Sequence, residues 1–341
     1  MKQKESRIRA SIDEAEHLLC EGPHAQRARR DAETLLLHTL RETAQDINNN
    51  WMVAHGIMKD TNSAWLAAHG NTPILPRVKT RFKDYVERRR AGEPIQYITG
   101  ETEFYGLPFR VTPDVLIPRP ETEHLVEKAL ELVGQMQSSG AKAHIDLSTL
   151  TARLKSCPDT EHCLSSAFIA PRIVDVGTGS GTIAVALAHA LPQVAITATD
   201  ISARALAVAR ENAKLNEVSI RYLLGDLLAP VAGERFEFVV SNPPYVPEAD
   251  RAALSVEVRD YEPALALFAG ADGLEVYRRL IPAAFAALVP GGFVVLEIGF
   301  GQSPAIADLL AQTGFEQIEF IADLQGIPRV VCARRHGSRS S

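Results

Sequence analysis

The run Ser241-Asn242-Pro243-Pro244-Tyr245 carries the residue types that most narrowly fix a chemistry in this sequence. It follows the apolar run Phe236 to Val240, which reads as a β-strand, so the asparagine stands at a strand tip. An amide nitrogen is a poor nucleophile because its lone pair is delocalised into the neighbouring carbonyl. Two acceptors that take both of its N–H bonds would orient the group and turn the lone pair toward an electrophile. The side-chain oxygen of Asn242 and the backbone carbonyl of Pro243 are such acceptors. Adjacent prolines stiffen the turn and keep the carbonyl aimed. Tyr245 adds an aromatic face for a planar target and for a sulfonium charge. No tuned general base is needed, because the proton can leave after methyl transfer, and catalysis would be mainly alignment in a dry pocket. Catalytic roles fall to Asn242, Pro243 and Tyr245, and target binding to Asn242, Pro243, Pro244 and Tyr245. A proline-rich turn closing a strand is the structural alternative.

A methyl donor needs its own site, and Asp175-Val176-Gly177-Thr178-Gly179-Ser180-Gly181 offers one. The run follows a strand and opens a helix, where glycines admit close approach and the helix N-terminus presents unpaired N–H groups. Its G-x-G-x-G spacing differs from the G-x-G-x-x-G of dinucleotide enzymes. Asp175 before the first glycine suits the ammonium of a methionine moiety and would repel a pyrophosphate. The next strand ends in Asp200, placed for ribose hydroxyls. The third ends in Gly225-Asp226-Leu227, an acid and an apolar neighbour for adenine. Any one acid alone is equally a helix N-cap. Together they predict S-adenosylmethionine as cofactor, held by Asp175, Val176, Gly177, Thr178, Gly179, Asp200, Asp226 and Leu227, with Asn242 at its methyl.

Elements that position these residues alternate regularly. Strands are expected at Ile173 to Val176, Ala195 to Thr199, Ile220 to Leu224, Phe236 to Val240 and Phe293 to Ile298, separated mostly by Ala/Leu-rich helices. That pattern predicts a parallel sheet covered on both faces. Ile318 to Ile321 and Val330 to Ala333 follow one another through a turn and should close the sheet as an antiparallel pair. Such an ending is typical of methyltransferase sheets and atypical of dehydrogenases. The predicted fold is α/β, a Rossmann-like class I methyltransferase sheet of seven strands with a small N-terminal helical domain. Residues 1–92 read as helical, 93–120 as a β-hairpin linker with strands at Gln96 to Thr99, Glu103 to Tyr105 and Phe109 to Thr112, and 121–341 as the methyltransferase domain. Residues 136–171 read as an inserted loop. Asp46-x-Asn48-x-x-Trp51-x-x-Ala54-His55-Gly56 reappears as Asp60-x-Asn62-x-x-Trp65-x-x-Ala68-His69-Gly70, a local duplication too short for a repeat architecture. His55 and His69 read there as helix-end residues, not ligands.

Composition bounds the alternatives. The 341 residues are 46% hydrophobic and carry a formal net charge of -6, so no general cationic field exists to hold nucleic acid. Four scattered cysteines make no disulfide framework, and Cys157, His162 and Cys163 match no standard zinc spacing, so no metal is expected. The first residues lack an apolar core of the signal-peptide kind, and no apolar run reaches the roughly 20 residues that span a bilayer. A cytoplasmic protein without membrane attachment is expected.

Several segments together resemble a known family. They are Gly92-Glu93-Pro94-Ile95-Gln96-Tyr97-Ile98-Thr99-Gly100, Leu116-Ile117-Pro118-Arg119-Pro120-Glu121-Thr122-Glu123, Tyr261-Glu262-Pro263 and Ala269-Gly270-x-x-Gly273-Leu274, with Asp31-Ala32-Glu33 before leucines. With Asn-Pro-Pro-Tyr, they resemble the HemK/PrmC family of peptide chain release factor glutamine methyltransferases. The resemblance implies that Asn242 through Tyr245 hold the glutamine of the Gly-Gly-Gln loop of class I release factors, which would be the protein partner. It implies cofactor contacts at Asp175 through Gly179, Asp200 and near Asp226, and a helical domain that binds the release factor body. Glu121 and Glu123 suit either the cofactor pocket or a first helical turn. Relatives that methylate ribosomal protein L3 tend to read Pro-Arg-Ser-Pro-Ile where this chain reads Pro-Arg-Pro-Glu-Thr. Asn-Pro-Pro-Tyr is also shared with DNA adenine-N6 methyltransferases, which would hold a flipped base and carry a basic recognition domain. A binding protein without turnover is a further alternative; it would have no use for Asn242 in a dry pocket.

Overall fold

The computed structural model describes residues 7–45, 61–143 and 171–337. The first copy of the duplication, with Trp51 and His55, lies outside them. So do Cys157, His162, Cys163 and residues 144–170 of the inserted loop expected at 136–171. The first part of that expectation, 136–143, is instead the end of the helix Glu123–Ala143, which runs on past the apolar face the sequence showed. The chain forms two compact units, one running up to Glu101 and including Ala253–Glu262, the other formed by Thr102–Ala252 and the residues from Pro263 onward.

The first unit is helical: α1 (Ile8–Leu19), α2 (Ala28–Gln45), α3 (Ser63–Ala68), α4 (Pro76–Arg90) and α5 (Ile95–Thr99). Apolar residues three and four apart give each long helix one buried face: Ile8, Ile12, Ala15 and Leu19 on α1, Ala28, Ala32, Leu35 and Leu36 on α2, Val78, Phe82 and Val86 on α4. The second copy of the duplication builds α3. Asn62 caps it by accepting the Trp65 N–H at 3.2 Å, and His69 ends it with its ring stacked on Trp65 at 4.2 Å. Gln96 to Thr99, expected as a strand, is instead the single-turn helix α5. Pro94 precedes it, Gly100 ends it at φ 74°, and Tyr97 and Ile98 are buried, so local terminators and packing override β-propensity.

A buried cation ties this unit together. The Arg89 side chain is 1% exposed; its Nε donates to Asp31 Oδ2 at 2.7 Å and its Nη1 to the Glu93 carbonyl at 2.9 Å. Nη1 also donates to the carboxylate of Glu257, on the short helix Val256–Tyr261. Tyr261 Oη donates to the Ala91 carbonyl at 3.2 Å. His24 Nε2 stands 3.2 Å from Glu257, and its pKa is lowered by burial and by Arg89.

At the boundary, where Thr102 begins the second unit, lies the hairpin β1 (Glu101–Phe104) and β2 (Leu107–Arg110), the latter starting two residues before the expected strand. Helix α6 (Glu123–Ala143) follows. Then come β3 (Arg172–Val176), α7 (Thr182–Ala190), β4 (Ala195–Asp200), α8 (Ala203–Leu215), β5 (Arg221–Leu224) and β6 (Phe236–Ser241). The chain ends with α9 (Glu275–Ala287), β7 (Leu288–Glu297), α10 (Ser303–Thr313), β8 (Phe315–Ala322) and β9 (Pro328–Arg335). The seven-stranded sheet has the order β5-β4-β3-β6-β7-β9-β8. β3 to β7 pair in parallel, and β9 runs antiparallel to both β7 and β8. The seven strands and the antiparallel ending agree with the expected sheet.

Alternation along the strands divides the core in two. Ile173, Phe238, Val240 and Val295 face one cluster with α6 and α7. Val174, Val239, Val294 and Leu296 face the other with α9 and α10. Asn212 on α8 is fully buried; its Oδ1 accepts the Arg110 N–H at 2.7 Å, and its Nδ2 donates to the carbonyls of Arg110 (3.0 Å) and Ser180 (2.8 Å). One side chain thus joins the hairpin to the glycine turn. Among the described residues no helix is long and apolar enough to cross a membrane.

Candidate active site

Strand order decides where the chemistry lies. From β3 the chain builds outward through β4 and β5, then crosses back to place β6 on the other side of β3. The carboxyl ends of β3 and β6 therefore part at a topological switch point, the usual ligand crevice of such sheets. A cavity of about 430 Å³ opens there. Its walls bring together Gly177, Thr178, Gly179, Asp200, Asp226, Leu227, Asn242 and Pro244 from the expected set. Asp175, Val176, Pro243 and Tyr245 are not among its lining residues; Asp175 is fully buried beneath the glycine turn.

The glycine turn forms a cradle. Gly177 and Gly179 adopt φ 71° and 57°, and a side chain on either would meet no protein atom within 4 Å, so both face open space. Asp200 braces the turn: Oδ2 accepts the Gly179 N–H at 2.8 Å and Oδ1 the Ser202 N–H at 2.8 Å. Asp226 is held by the guanidinium of Arg279, a lining residue with no motif of its own in the sequence. Leu227 is held at φ 48°, and its carbonyl accepts the Thr199 hydroxyl at 2.8 Å. A left-handed leucine on a pocket wall is strain of the kind found at ligand clamps.

Asn242 sits in a hydrogen-bonded chain that sequence reading did not find. Its Nδ2 donates to Thr122 Oγ1 at 3.1 Å. Thr122 donates to Glu297 Oε2 at 2.6 Å, and Tyr245 Oη donates to Glu297 Oε1 at 3.3 Å. Tyr277 Oη donates to the Glu297 carbonyl at 2.6 Å and fixes the backbone there. Glu297 is 2% exposed. A lone acid inside the apolar run Val294-Val295-Leu296-Glu297-Ile298 was the available signal.

Burial raises the Glu297 pKa to about 7, against the lowering pull of hydrogen bonds from Thr122, Tyr245 and Asn242. Burial also raises Asp175 to about 7, against the lowering pull of Thr178 and the Ala184 backbone. Its Oδ2 accepts the Thr178 hydroxyl at 2.6 Å, while Oδ1 is buried without a hydrogen-bond partner among the described residues. A carboxyl whose pKa is higher folded than unfolded stabilises the fold while protonated, and this contribution is lost as pH rises through the folded value. The contribution of these two groups to the unfolding free energy should fall between about pH 4 and about pH 7. Urea melts at about pH 5.5 and about pH 8 measure it. Asp175→Asn should flatten the slope, and an unchanged slope would refute the assignment.

Behind the Asn-Pro-Pro-Tyr turn, Gln302 Nε2 donates to the carbonyls of Tyr245 (3.0 Å) and Gly273 (3.3 Å). Gly273 is at φ 75°, and a Cβ there would overlap the Tyr245 carbonyl oxygen. Gly273→Ala should cost about 1–2 kcal/mol for the left-handed backbone alone. Because relief must move Tyr245, methyl transfer should fall more steeply than the melting temperature. Wild-type rates in the variant would show that the turn tolerates displacement.

Residues 11–100 match the PrmC N-terminal domain and residues 161–258 the methyltransferase small domain. A release factor glutamine methyltransferase of Deinococcus radiodurans is 42% identical over 270 residues, 79% of this chain and 84% of that protein. Proteins of the same name from Koribacter versatilis and Bacillus subtilis are 38% and 39% identical, over 75% and 76% of this chain and 80% and 81% of theirs. The chain belongs to the release factor glutamine methyltransferase family. It is a methyltransferase, as the sequence resemblance implied. Membership spans both units, since the matched segments run from the helices through the glycine turn to Asn242 and Tyr245.

Proposed function

We propose that this protein transfers one methyl group from S-adenosylmethionine to the side-chain amide nitrogen (N5) of the glutamine in the Gly-Gly-Gln loop of class I peptide chain release factors. The observation that carries the reading is the orientation of Asn242. Its Nδ2 is engaged by Thr122, so the carbonyl oxygen Oδ1 remains to accept a hydrogen bond in the cavity. The extended likeness to release factor glutamine methyltransferases supports the substrate.

The cavity fits the cofactor: an open glycine cradle beside an acid at the tip of β4. Gly177, Thr178, Gly179, Asp200, Asp226 and Leu227 would hold it, and it would supply an electrophilic methyl on a cationic sulfur. Asn242 Oδ1 and the Pro243 carbonyl would accept the two N–H bonds of the glutamine amide. Those bonds orient the amide and expose its lone pair, and the nitrogen gains a methyl as it loses one proton. The prolines hold the acceptors without reorganisation, the advantage of a preorganised site. Asp175 would act through the turn it underlies, by way of Thr178. The reaction belongs with the release factors, in the cytoplasm.

The test is methyl transfer from labelled cofactor to a purified class I release factor and to a copy whose Gly-Gly-Gln glutamine is alanine. Label on the first alone supports the reading. Label on ribosomal protein L3 or on DNA, with none on the release factor, overturns it.

A further inference from the structure

We propose that Thr122 and Glu297 are positioning residues that decide which end of the Asn242 amide faces the pocket. The inference rests on the glutamine reading of Asn242 and extends it to two residues outside the Asn-Pro-Pro-Tyr motif. An ionised carboxylate accepts hydrogen bonds and donates none. The Thr122 hydroxyl, 2.6 Å from Glu297 Oε2, must therefore spend its single proton on that oxygen. Only lone pairs remain on Thr122 Oγ1. Facing it at 3.1 Å, Asn242 must present its NH2 end, and the carbonyl end is left for the target. The reversed amide would set Oδ1 against Oγ1, two acceptors with no proton between them. It would also offer two donors to a substrate amide that itself brings two donors.

The surroundings hold this direction of donation in place. Glu297 is buried, Tyr245 Oη takes its second oxygen, and Tyr277 pins its carbonyl. Glu121 is the acid whose charge acts on Glu297. The Asn242 amide also donates toward that carboxylate and so is turned the same way by it directly. Arg119 and Arg329 are the cations that act on Tyr245. Protonated Glu297 would carry a donor of its own, freeing the Thr122 proton to turn toward Asn242. The amide could then rotate without leaving an unpaired group. With the Glu297 pKa near 7, the correct orientation is favoured above neutrality and relaxes below it.

Two readouts test this, one of which needs no substrate. In 15N-labelled protein, the Asn242 side-chain amide signal is identified by its loss in Asn242→Ala. It should titrate with a midpoint near 7 in the wild type and stay flat in Glu297→Gln. In Thr122→Val it should move toward the signature of a solvated amide. In turnover, Thr122→Val should lower kcat about 10- to 100-fold while cofactor affinity holds, and the melting temperature should fall with the donor lost to buried Glu297. Thr122→Ser should recover most of that loss, which lost packing would not explain. Wild-type kcat in Thr122→Val, or an amide signal indifferent to both Thr122 and Glu297, would overturn the proposal. If Glu297→Gln does not fold, the Thr122 pair decides alone. A wild-type protein that fails to methylate the release factor sinks the substrate reading, and the amide signal still decides this one.

Discussion

Asn242→Ala is expected to lower kcat by at least about two orders of magnitude, with the cofactor dissociation constant changed by less than about twofold. The magnitude follows from what the side chain does. A preorganised acceptor aimed at the reacting amide acts where water is excluded, and its loss cannot be made good by solvent. Cofactor affinity should hold because Asn242 makes its hydrogen bond to Thr122, whereas the glycine cradle is braced from Asp200. Rapid-quench turnover and calorimetric titration separate the two effects. Cofactor binding that collapses together with turnover would move Asn242 from the target's side of the pocket to the cofactor's.

Arg89→Ala is expected to destabilise the protein by about 3–5 kcal/mol, measured by urea unfolding. The cost comes less from the lost attraction than from what remains. Asp31, 5% exposed, would keep its charge with no cation, and the Glu93 carbonyl and Glu257 would lose a donor. Arg89→Lys should recover only part of the loss, because one ammonium cannot reproduce a planar fork that reaches three acceptors. Arg89 was not legible as structural in the sequence. It stands in the run Arg88-Arg89-Arg90, where its neighbours are half exposed and pair with Glu93 and Glu21 on the surface. Only the fold brings Asp31 and Glu257 to it.

That contrast marks what sequence can carry. Strand periodicity, the glycine turn and Asn-Pro-Pro-Tyr are local patterns, and each appears where its spacing placed it: the turn after β3, Asp200 ending β4, Asn242 just past β6. Among the described residues, helix reads as strand at Gln96 to Thr99, where a short stretch of mixed apolar and polar residues supports either and the bounding Pro94 and Gly100 decide. The polar chain from Asn242 to Glu297 joins residues 120 and 175 positions apart, and no local pattern encodes it. Asp175 illustrates the same limit. Its place before the glycines was legible, but whether a carboxylate there meets the ligand or props up the turn depends on a side-chain direction that spacing does not set.

The passage of Ala253–Glu262 into the helical unit bears on how such a protein can be taken apart. The chain changes units three times, after Glu101, after Ala252 and after Glu262. The borrowed segment starts eight residues beyond Tyr245 and ends at Glu262, one residue before Pro263, which is itself on the cavity wall. The helical unit is therefore not a cassette. A chimera that swaps only the first hundred residues would mate a foreign set of helices with the native Glu257 and Tyr261, and strip them of Arg89 and the Ala91 carbonyl. An exchange of the helical unit between relatives must carry this ten-residue return along with the helices it serves, as a split module inherited in two pieces.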